Sequence, residues 1–239
     1  MYIKEEILFI IMNSFKGKLY ISDNPFNWPS GDMFAGLENY TEGIRKTGFF
    51  AAFGWSAFIT VGSVLVIVLF TSMTAWYITR VKTRLSNTLY YLFVFSMVVP
   101  FQMVMFTMSK LADMLKLNNP VGMIFLYLGF GAGLSVFMFC GFVKSIPLEI
   151  EEAAMIDGCT PIQTFFQIVM PILKPTAIIV AILNAMWVWN DYLLPYLVIG
   201  VSTPYKTIPV AVQYLMGSYG AKDYGSMMAL LVLAIIPII

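Results

Sequence analysis

Long blocks of apolar residues, separated by short polar stretches, are the main pattern along the chain of 239 residues. No Asp, Glu, Lys or Arg occurs between Lys46 and Arg80, and the same holds for 85–109, 117–143 and 224–239. Each block meets or approaches the roughly 20 residues that a helix needs to cross about 30 Å of hydrocarbon. Such spans must be helical because lipid cannot satisfy free backbone groups. The pattern therefore predicts an all-α membrane protein.

The blocks predict six spans, of which the first and the last are partial. The apolar run in 1–12 is too short to cross a bilayer, so we interpret it as the outer end of a helix whose beginning is missing. The last block is still apolar at Ile239, and its end is expected to be absent as well. The chain is thus expected to be one transmembrane domain, 1–239, with a polar loop at 145–173. The spans are predicted at 1–12, 50–80, 86–109, 119–144, 174–200 and 224–239.

Composition supports membrane embedding and excludes several kinds of chemistry. The chain is 59% hydrophobic and 11% charged, with a mean hydropathy of +0.81, whereas a soluble domain has about a quarter charged residues. It contains no histidine, which excludes His-based catalysis and His metal sites. No catalytic residue, metal site or cofactor is predicted for this chain. The net charge of +1 gives no indication of a nucleic-acid partner, and none is expected.

Basic residues near the span ends predict the orientation of the chain in the membrane. Arg80, Lys82 and Arg84 lie together in the short link between the second and third spans, which marks this link as cytoplasmic. Counting onward, the loop at 145–173 is also cytoplasmic, while the polar stretch at 13–48 faces outside.

The 145–173 loop carries the signals of a short helix at 147–157. Pro147 suits a first helical position, and the three glutamates that follow it favour the positive end of a helix dipole. Gly158 is placed to end this helix in a left-handed turn.

A second short helix is predicted at 161–170. Thr160 and Gln163 have the spacing of a capping box, with a proline between them at the first helical position. Pro171 and Pro175 are expected to break the path of the chain before the fifth span.

Two interpretations of this helix pair fit the residues, a plain connector between spans and a docking element for another protein. Ala153, Ala154 and Gly158 present small side chains at near-helical spacing, which would allow another surface to approach closely. Glu152 is expected to accept hydrogen bonds from that partner. Glu151 points about 100° elsewhere on the helix and is expected to matter much less.

The loop resembles a known motif, the EAA loop of bacterial ABC importer permeases. Glu152-Ala153-Ala154, three further residues, Gly158, nine further residues and then Ile168-Val169-Met170-Pro171 follow its spacing. The usual pattern ends in Ile-x-Leu-Pro, and methionine in place of leucine conserves volume. Other stretches resemble the carbohydrate-uptake subgroup, in particular the second permease subunit of maltose-type or multiple-sugar-type transporters. These stretches are Asn13-Ser14-Phe15-Lys16, Asn39-Tyr40, Ala75-Trp76-Tyr77-Ile78-Thr79-Arg80, Pro100 and Trp189-Asn190-Asp191-Tyr192.

The resemblance implies a six-helix permease bundle of the inner membrane with a cytoplasmic coupling-helix pair. It implies as partners a second permease subunit, a homodimeric cytoplasmic ATPase and an extracytoplasmic sugar-binding protein. This chain has no G-x-x-x-x-G-K-[ST] phosphate loop, so ATP and Mg are expected in the partner ATPase and the chain itself is not an enzyme. The residues that the resemblance assigns to ATPase coupling are Glu152, Ala153, Ala154, Asp157, Gly158, Ile168 and Pro171.

A second group of candidates lies near the outer end of the fifth span, around Asp191. An ionisable group inside a span is a functional candidate, and it lies beside Trp187, Trp189, Asn190 and Tyr192. Aromatic residues at that level are also ordinary interfacial anchors. Both interpretations, an anchor and a contribution to a sugar path, stay open.

Four functions compete, of which an intramembrane enzyme is the weakest because histidine is absent and no acidic pair lies within a span. A sugar importer permease is favoured; an importer permease for another solute, such as a polyamine or phosphate, shares the same loop motif. A secondary transporter that works without ATP would not need the loop.

Overall fold

The structure is a computed structural model that describes residues 2–200, 203–216 and 223–238. Within these ranges the chain is predominantly helical. Met1 and Ile239, the outermost residues of the first and last predicted spans, lie outside the described residues. The helices are α1 (Tyr2–Ser14), α2 (Lys18–Asp23), α3 (Glu38–Thr47), α4 (Phe49–Arg80), α5 (Arg84–Val98), α6 (Phe101–Met114), α7 (Pro120–Val143), α8 (Leu148–Ile156), α9 (Pro161–Asn190), α10 (Ile208–Gln213) and α11 (Tyr224–Ile235).

The chain divides into two compact units. The central unit comprises 58–190, and the terminal unit comprises 1–57 and 191–239. One boundary between the units falls within α4, after Ala57, and the other follows the last residue of α9.

Three of the described helices, α4, α7 and α9, are long and apolar enough to cross a membrane. The pair formed by α5 and α6 makes a fourth span if its two helices count as one, and α11 is apolar but shorter. The bounds of α4 and α7 coincide within one residue with the spans predicted at 50–80 and 119–144. The number of six spans stays a prediction.

The span predicted at 86–109 is not a single straight helix. α5 and α6 meet at a bend of 106°. Val99, between them, has the extended backbone angles φ −74° and ψ 114°, and Pro100 follows it. Proline disfavours helical angles in the preceding residue and cannot donate a backbone hydrogen bond. Hydropathy alone does not register such a bend, because both helices are apolar.

The prediction of a separate short helix at 161–170 is wrong. α9 is a 30-residue helix that runs from Pro161 to Asn190, in place of the span predicted at 174–200. Pro171 and Pro175 lie inside α9 and do not break it. A π-helical turn at Phe165–Val169, in which the N–H of Met170 donates to the carbonyl of Phe165, lies just ahead of Pro171. This wider turn changes the hydrogen-bond register before the first proline is reached.

The core of the central unit is formed by α4, α7 and α9. Asn119 caps α7 by accepting a hydrogen bond from the N–H of Gly122 at 2.9 Å, and Pro120 takes the first helical position. Deeper in the unit, Asn184 of α9 donates to the hydroxyl of Ser135 of α7 at 3.1 Å. The buried apolar residues of this core include Ile67, Ala75, Val136, Phe139, Val143, Phe165, Val169, Leu173 and Val180.

The G-x-x-x-G pair of Gly129 and Gly133 in α7 is typical of close helix packing. At Gly133 a Cβ atom would lie 2.6 Å from the Oγ of Ser96 and 2.9 Å from the carbonyl oxygen of Phe93. At Gly129 nothing lies within 4 Å of such an atom. The pattern thus marks a close contact at its second glycine alone.

We expect Gly133→Ala to destabilise the central unit by roughly 1–3 kcal/mol, the usual range for overpacking. Gly129→Ala is the matched control. It should leave stability unchanged or raise it slightly, because alanine favours a helix over glycine by about 0.5–1 kcal/mol. Thermal unfolding in detergent would measure both, and equal melting temperatures would contradict the close contact.

In the terminal unit, the stretches Asn13–Lys16 and Asn39-Tyr40 form one hydrogen-bonded cluster. The amide of Asn39 donates to the carbonyls of Ser14 and Lys16, each at 2.8 Å. The hydroxyls of Tyr40 and Ser14 lie 2.6 Å apart. The fully buried Lys16 ammonium donates to the carbonyl of Asn24 at 2.9 Å. The cluster therefore fixes the start of the polar stretch that follows α1.

Candidate functional site

The turn between α8 and α9 has the geometry that its sequence predicts. Gly158 has φ +89°, a backbone conformation that favours glycine. Its N–H donates to the carbonyl of Met155, and the N–H of Cys159 donates to that of Ala154, which together make a Schellman motif. The left-handed end of the first loop helix is therefore confirmed.

The capping box that opens α9 is also confirmed. The N–H of Thr160 donates to the side-chain carbonyl of Gln163 at 2.8 Å, and the N–H of Gln163 donates to the Thr160 hydroxyl at 3.4 Å. Two N–H groups that a helix start leaves free are thereby satisfied. α8 and α9 consequently meet at a turn defined from both sides.

Glu151 lies on the inner face of α8 and is 3% exposed. Its Oε1 accepts from the Nε of Arg80 at 2.9 Å and from an Nη of the same residue at 2.6 Å. Its Oε2 accepts from the indole N–H of Trp76 at 2.9 Å. Both carboxylate oxygens are thus satisfied by residues of α4.

The same Arg80 side chain reaches the link between α7 and α8. One Nη also donates to the carbonyl of Ile146 at 2.9 Å. The Trp76 ring packs against Phe165 at the start of the π-helical turn of α9, with ring centroids 5.5 Å apart. Arg80 and Trp76 therefore join the end of α4 to α8 and α9, and we call Trp76, Arg80 and Glu151 the α4–α8 link.

This position changes the interpretation of Glu151. From its position in the sequence, Glu151 is expected to matter much less than Glu152. In the structure, removal of its carboxylate would leave the Arg80 guanidinium without its anion. Breaking one side of such a sheltered pair costs about 3–5 kcal/mol. Glu151 cannot serve as an inert comparison for Glu152.

The other side chains of α8, apart from Glu151 and Ala154, are exposed. Four of them, Leu148, Glu152, Met155 and Ile156, recur at helical spacing, and we call them the exposed face of α8. Ile156 is 86% exposed, and Ile162 at the start of α9 is 67% exposed. Large aliphatic side chains presented next to a carboxylate suit contact with another protein.

The predicted coupling residues divide between the two sides of the loop. Glu152, Ala153, Asp157 and Gly158 are exposed, as the docking hypothesis requires. Ala154 is buried and faces inward, so it is not available for contact with a partner. Of the two residues on α9, Ile168 is half-buried within the π-helical turn and Pro171 is exposed.

The candidates for a sugar path lie at the end of α9 and beyond it. Trp187 makes an edge contact with Tyr127, with centroids 5.4 Å apart, and Trp189 is buried. The Asn190 amide donates to the carbonyl of Met186 at 2.7 Å. These three residues belong to the central unit.

Asp191 and Tyr192 belong to the terminal unit. Asp191 accepts from the N–H of Leu193 at 3.0 Å, ahead of a helical turn at Leu193–Pro195 and a π-helical turn at Tyr196–Gly200. Tyr192 stacks on Tyr196 with centroids 5.2 Å apart. The role of this group in a sugar path stays a prediction.

Sequence reasoning did not identify Trp76, Arg80, Ile156 and Ile162 as parts of the loop site. In the sequence, Trp76 and Arg80 are notable only as members of a stretch that resembles the carbohydrate-uptake subgroup. Arg80 is also one of the basic residues that predict the orientation of the chain in the membrane. Ile156 carries a usable signal, since it shares the helical face of Glu152.

Comparisons with known proteins agree with the fold. Residues 67–239 match the family described as "Binding-protein-dependent transport system inner membrane component". The chain is 39% identical over 230 residues to the "Probable starch degradation products transport system permease protein AmyC" of Thermoanaerobacterium thermosulfurigenes, covering 96% of this chain and 82% of that protein. It is 34% identical over 235 residues to the "Multiple sugar-binding transport system permease protein MsmG" of Streptococcus mutans, covering 97% of this chain and 83% of that protein.

A solved structure shares the fold. It is a chain of a bacterial ABC transporter involved in the import of the acidic polysaccharide alginate, with a TM-score of 0.78 and 18% sequence identity. The match covers 98% of this chain and 86% of that chain.

Proposed function

The chain belongs to the family of binding-protein-dependent transport system inner membrane components, and we propose that it is the transmembrane permease subunit of an ATP-driven sugar importer. As a member of this family it is a multi-pass inner-membrane protein and a transporter permease, not an enzyme. The observation that carries the proposal is the 39% identity, over 96% of the chain, with a permease named for starch degradation products.

The proposed importer contains this chain and a second permease subunit, which together form the translocation pathway. A homodimeric cytoplasmic ATPase binds ATP and Mg, and an extracytoplasmic binding protein delivers the sugar. This division of labour agrees with the lack of a phosphate loop in the present sequence.

The exposed face of α8 is the proposed contact with the ATPase. It supplies aliphatic side chains for burial and one carboxylate, Glu152, that can accept charge-assisted hydrogen bonds. Ile162 and the exposed Gly158 turn extend this surface. A helix docked by its apolar residues is a common mode of recognition between proteins.

The substrate class is proposed from the relatives. Both of the permeases compared carry the names of sugar transport systems. Oligosaccharides released from starch are therefore the first candidates to test, followed by other short oligosaccharides.

Reconstitution would test the function. The chain, its partner permease, the ATPase and the binding protein are placed in proteoliposomes, and uptake of labelled maltooligosaccharides is measured with and without internal ATP. The proposal expects ATP-dependent uptake that unlabelled sugar competes away.

Two results would overturn this assignment. Competition by a polyamine or by phosphate, but not by sugars, would favour an importer for another solute. Sugar uptake that persists without ATP and collapses with a protonophore would favour a secondary transporter.

We expect Glu152→Ala to weaken ATPase docking while leaving α8 helical, since alanine is the best helix former. A charge-assisted hydrogen bond at an interface contributes roughly 1.5–3 kcal/mol, which corresponds to about a ten- to hundredfold loss of affinity. Co-purification of the ATPase at equal membrane levels of the permease measures it. Glu149→Ala is the matched control, because Glu149 is exposed on the same helix. Equal losses in both variants would assign the effect to the general acidity of the loop.

A further inference from the structure

A small polar cluster, separate from the exposed face of α8, holds the end of α4 to the loop. Arg80 is the last residue of α4, and its guanidinium makes two hydrogen bonds to Glu151 and one to the carbonyl of Ile146. Trp76, one helical turn earlier, donates to the second oxygen of Glu151. All side chains of α8 lie in the described part of the chain. Among them, Glu151 alone hydrogen-bonds to another helix.

From this arrangement we infer that the α4–α8 link transmits movement of α8 to the transmembrane helix α4, so that Arg80, Trp76 and Glu151 are positioning residues of the transport cycle. The inference rests on the proposed function, since it concerns movement that a docked ATPase imposes on α8.

The geometry of the link suits the transmission of movement. Two N–H groups of the planar Arg80 guanidinium donate to the same carboxylate oxygen of Glu151. These two bonds fix the relative direction of the two side chains as well as the distance between them. Glu151 is 3% exposed at its side chain and Arg80 is 18% exposed, so water has little access to replace these bonds. Sheltered charge pairs of this kind are screened much less than surface pairs.

The receiving element is stiff. The part of α4 in the central unit, 58–80, contains no proline and is about 35 Å long at the usual rise per residue. A displacement at Arg80 therefore reaches residues far from the loop. The contact of Trp76 with Phe165 adds the start of α9 to the same moving group.

The competing interpretation is that the α4–α8 link only stabilises the fold and takes no part in coupling. The ratio of sugar transported to ATP hydrolysed separates the two, because it is measured per assembled complex. A contact that only stabilises the fold changes the yield of complex. A contact that transmits movement changes the ratio of sugar transported to ATP hydrolysed.

The test uses the whole importer, purified through a tag on the ATPase and reconstituted in proteoliposomes. Arg80→Gln and Glu151→Gln are each expected to lower sugar transported per ATP hydrolysed at least tenfold. The double variant should be no worse than the poorer single variant, because the two residues act as one unit. Arg80→Lys keeps the positive charge but lacks the planar set of N–H donors of the guanidinium. Its ratio of sugar transported to ATP hydrolysed should therefore lie between those of Arg80→Gln and the wild type.

Two controls and a milder variant complete the test. Lys82→Gln and Glu149→Gln remove exposed charges close to each partner and should leave the ratio unchanged. Trp76→Phe deletes the indole N–H but can keep the packing on Phe165, and it should lower the ratio two- to fivefold.

The outcomes separate the inference from the function it rests on. An unchanged ratio in assembled Arg80→Gln complexes, additive losses in the double variant, or equal losses with Lys82→Gln would overturn the inference alone. If Arg80→Gln does not assemble, Trp76→Phe decides, and its wild-type ratio would overturn the inference. A wild-type complex without sugar uptake would refute the proposed function and the inference together.

Discussion

Gly158→Val is expected to reduce sugar uptake at least tenfold. A β-branched residue is a rare outlier at positive φ, and holding it at the observed φ of +89° costs about 1–3 kcal/mol. Nothing lies within 4 Å of a Cβ atom at this position, so the cost comes from the backbone and not from a clash inside the chain. The turn would relax, and α8 would leave the orientation of its proposed contact with the ATPase.

A substitution series checks the cause. Asparagine tolerates left-handed angles better than alanine or valine does, so uptake should fall in the order Gly158, Asn, Ala, Val. Uptake and ATPase activity of the reconstituted complex are measured together. Wild-type uptake with valine would remove this turn from the coupling route. An asparagine variant as poor as valine would instead point to steric contact with the partner.

The local structure of the loop is predictable because its signals are local. Pro161 between Thr160 and Gln163, and glycine after the last turn of α8, specify hydrogen bonds over three to five residues. Such bonds need no information from the rest of the chain. The helices α4 and α7 are predictable for a similar reason, since uncharged blocks of their length suit a membrane span.

The errors along α9 and α5 show where local rules fail. Proline breaks a regular helix, but the π-helical turn at Phe165–Val169 comes just before Pro171, and α9 continues through it. At Pro100 the rule holds and a 106° bend results, although both flanking helices are apolar and their hydropathy predicts one span. The outcome at each proline depends on the backbone hydrogen bonds around it, which composition does not specify.

The role of Glu151 is not predictable from the sequence. Its partner Arg80 is 71 residues away, and nothing in the spacing of the loop indicates which of three glutamates turns inward. Helix propensity and the helix dipole give the same expectation for Glu149, Glu151 and Glu152. Tertiary packing distinguishes them, because α8 buries the side that faces the end of α4. The same packing places Ile156 on the outer side with Glu152.

That placement makes Ile156→Asp the variant with the largest expected effect on docking. Ile156 is 86% exposed, so the substitution should change the stability of the permease by no more than about 0.5 kcal/mol. At the proposed contact with the ATPase it removes an aliphatic side chain, the burial of which contributes about 1.5–3 kcal/mol. It also introduces a charge that would have to lose its water without gaining a partner. Together these changes predict a loss of ATPase affinity of roughly a hundredfold or more.

Ile156→Leu is the matched control for this prediction. It keeps the apolar volume at the same position and should retain the ATPase as the wild type does. Membrane level, melting temperature and co-purified ATPase are measured for both variants. A melting temperature that falls in Ile156→Asp would assign the loss to folding. Full retention of the ATPase by that variant would show that the exposed face of α8 is not the docking surface, and Glu152 would lose its proposed role with it.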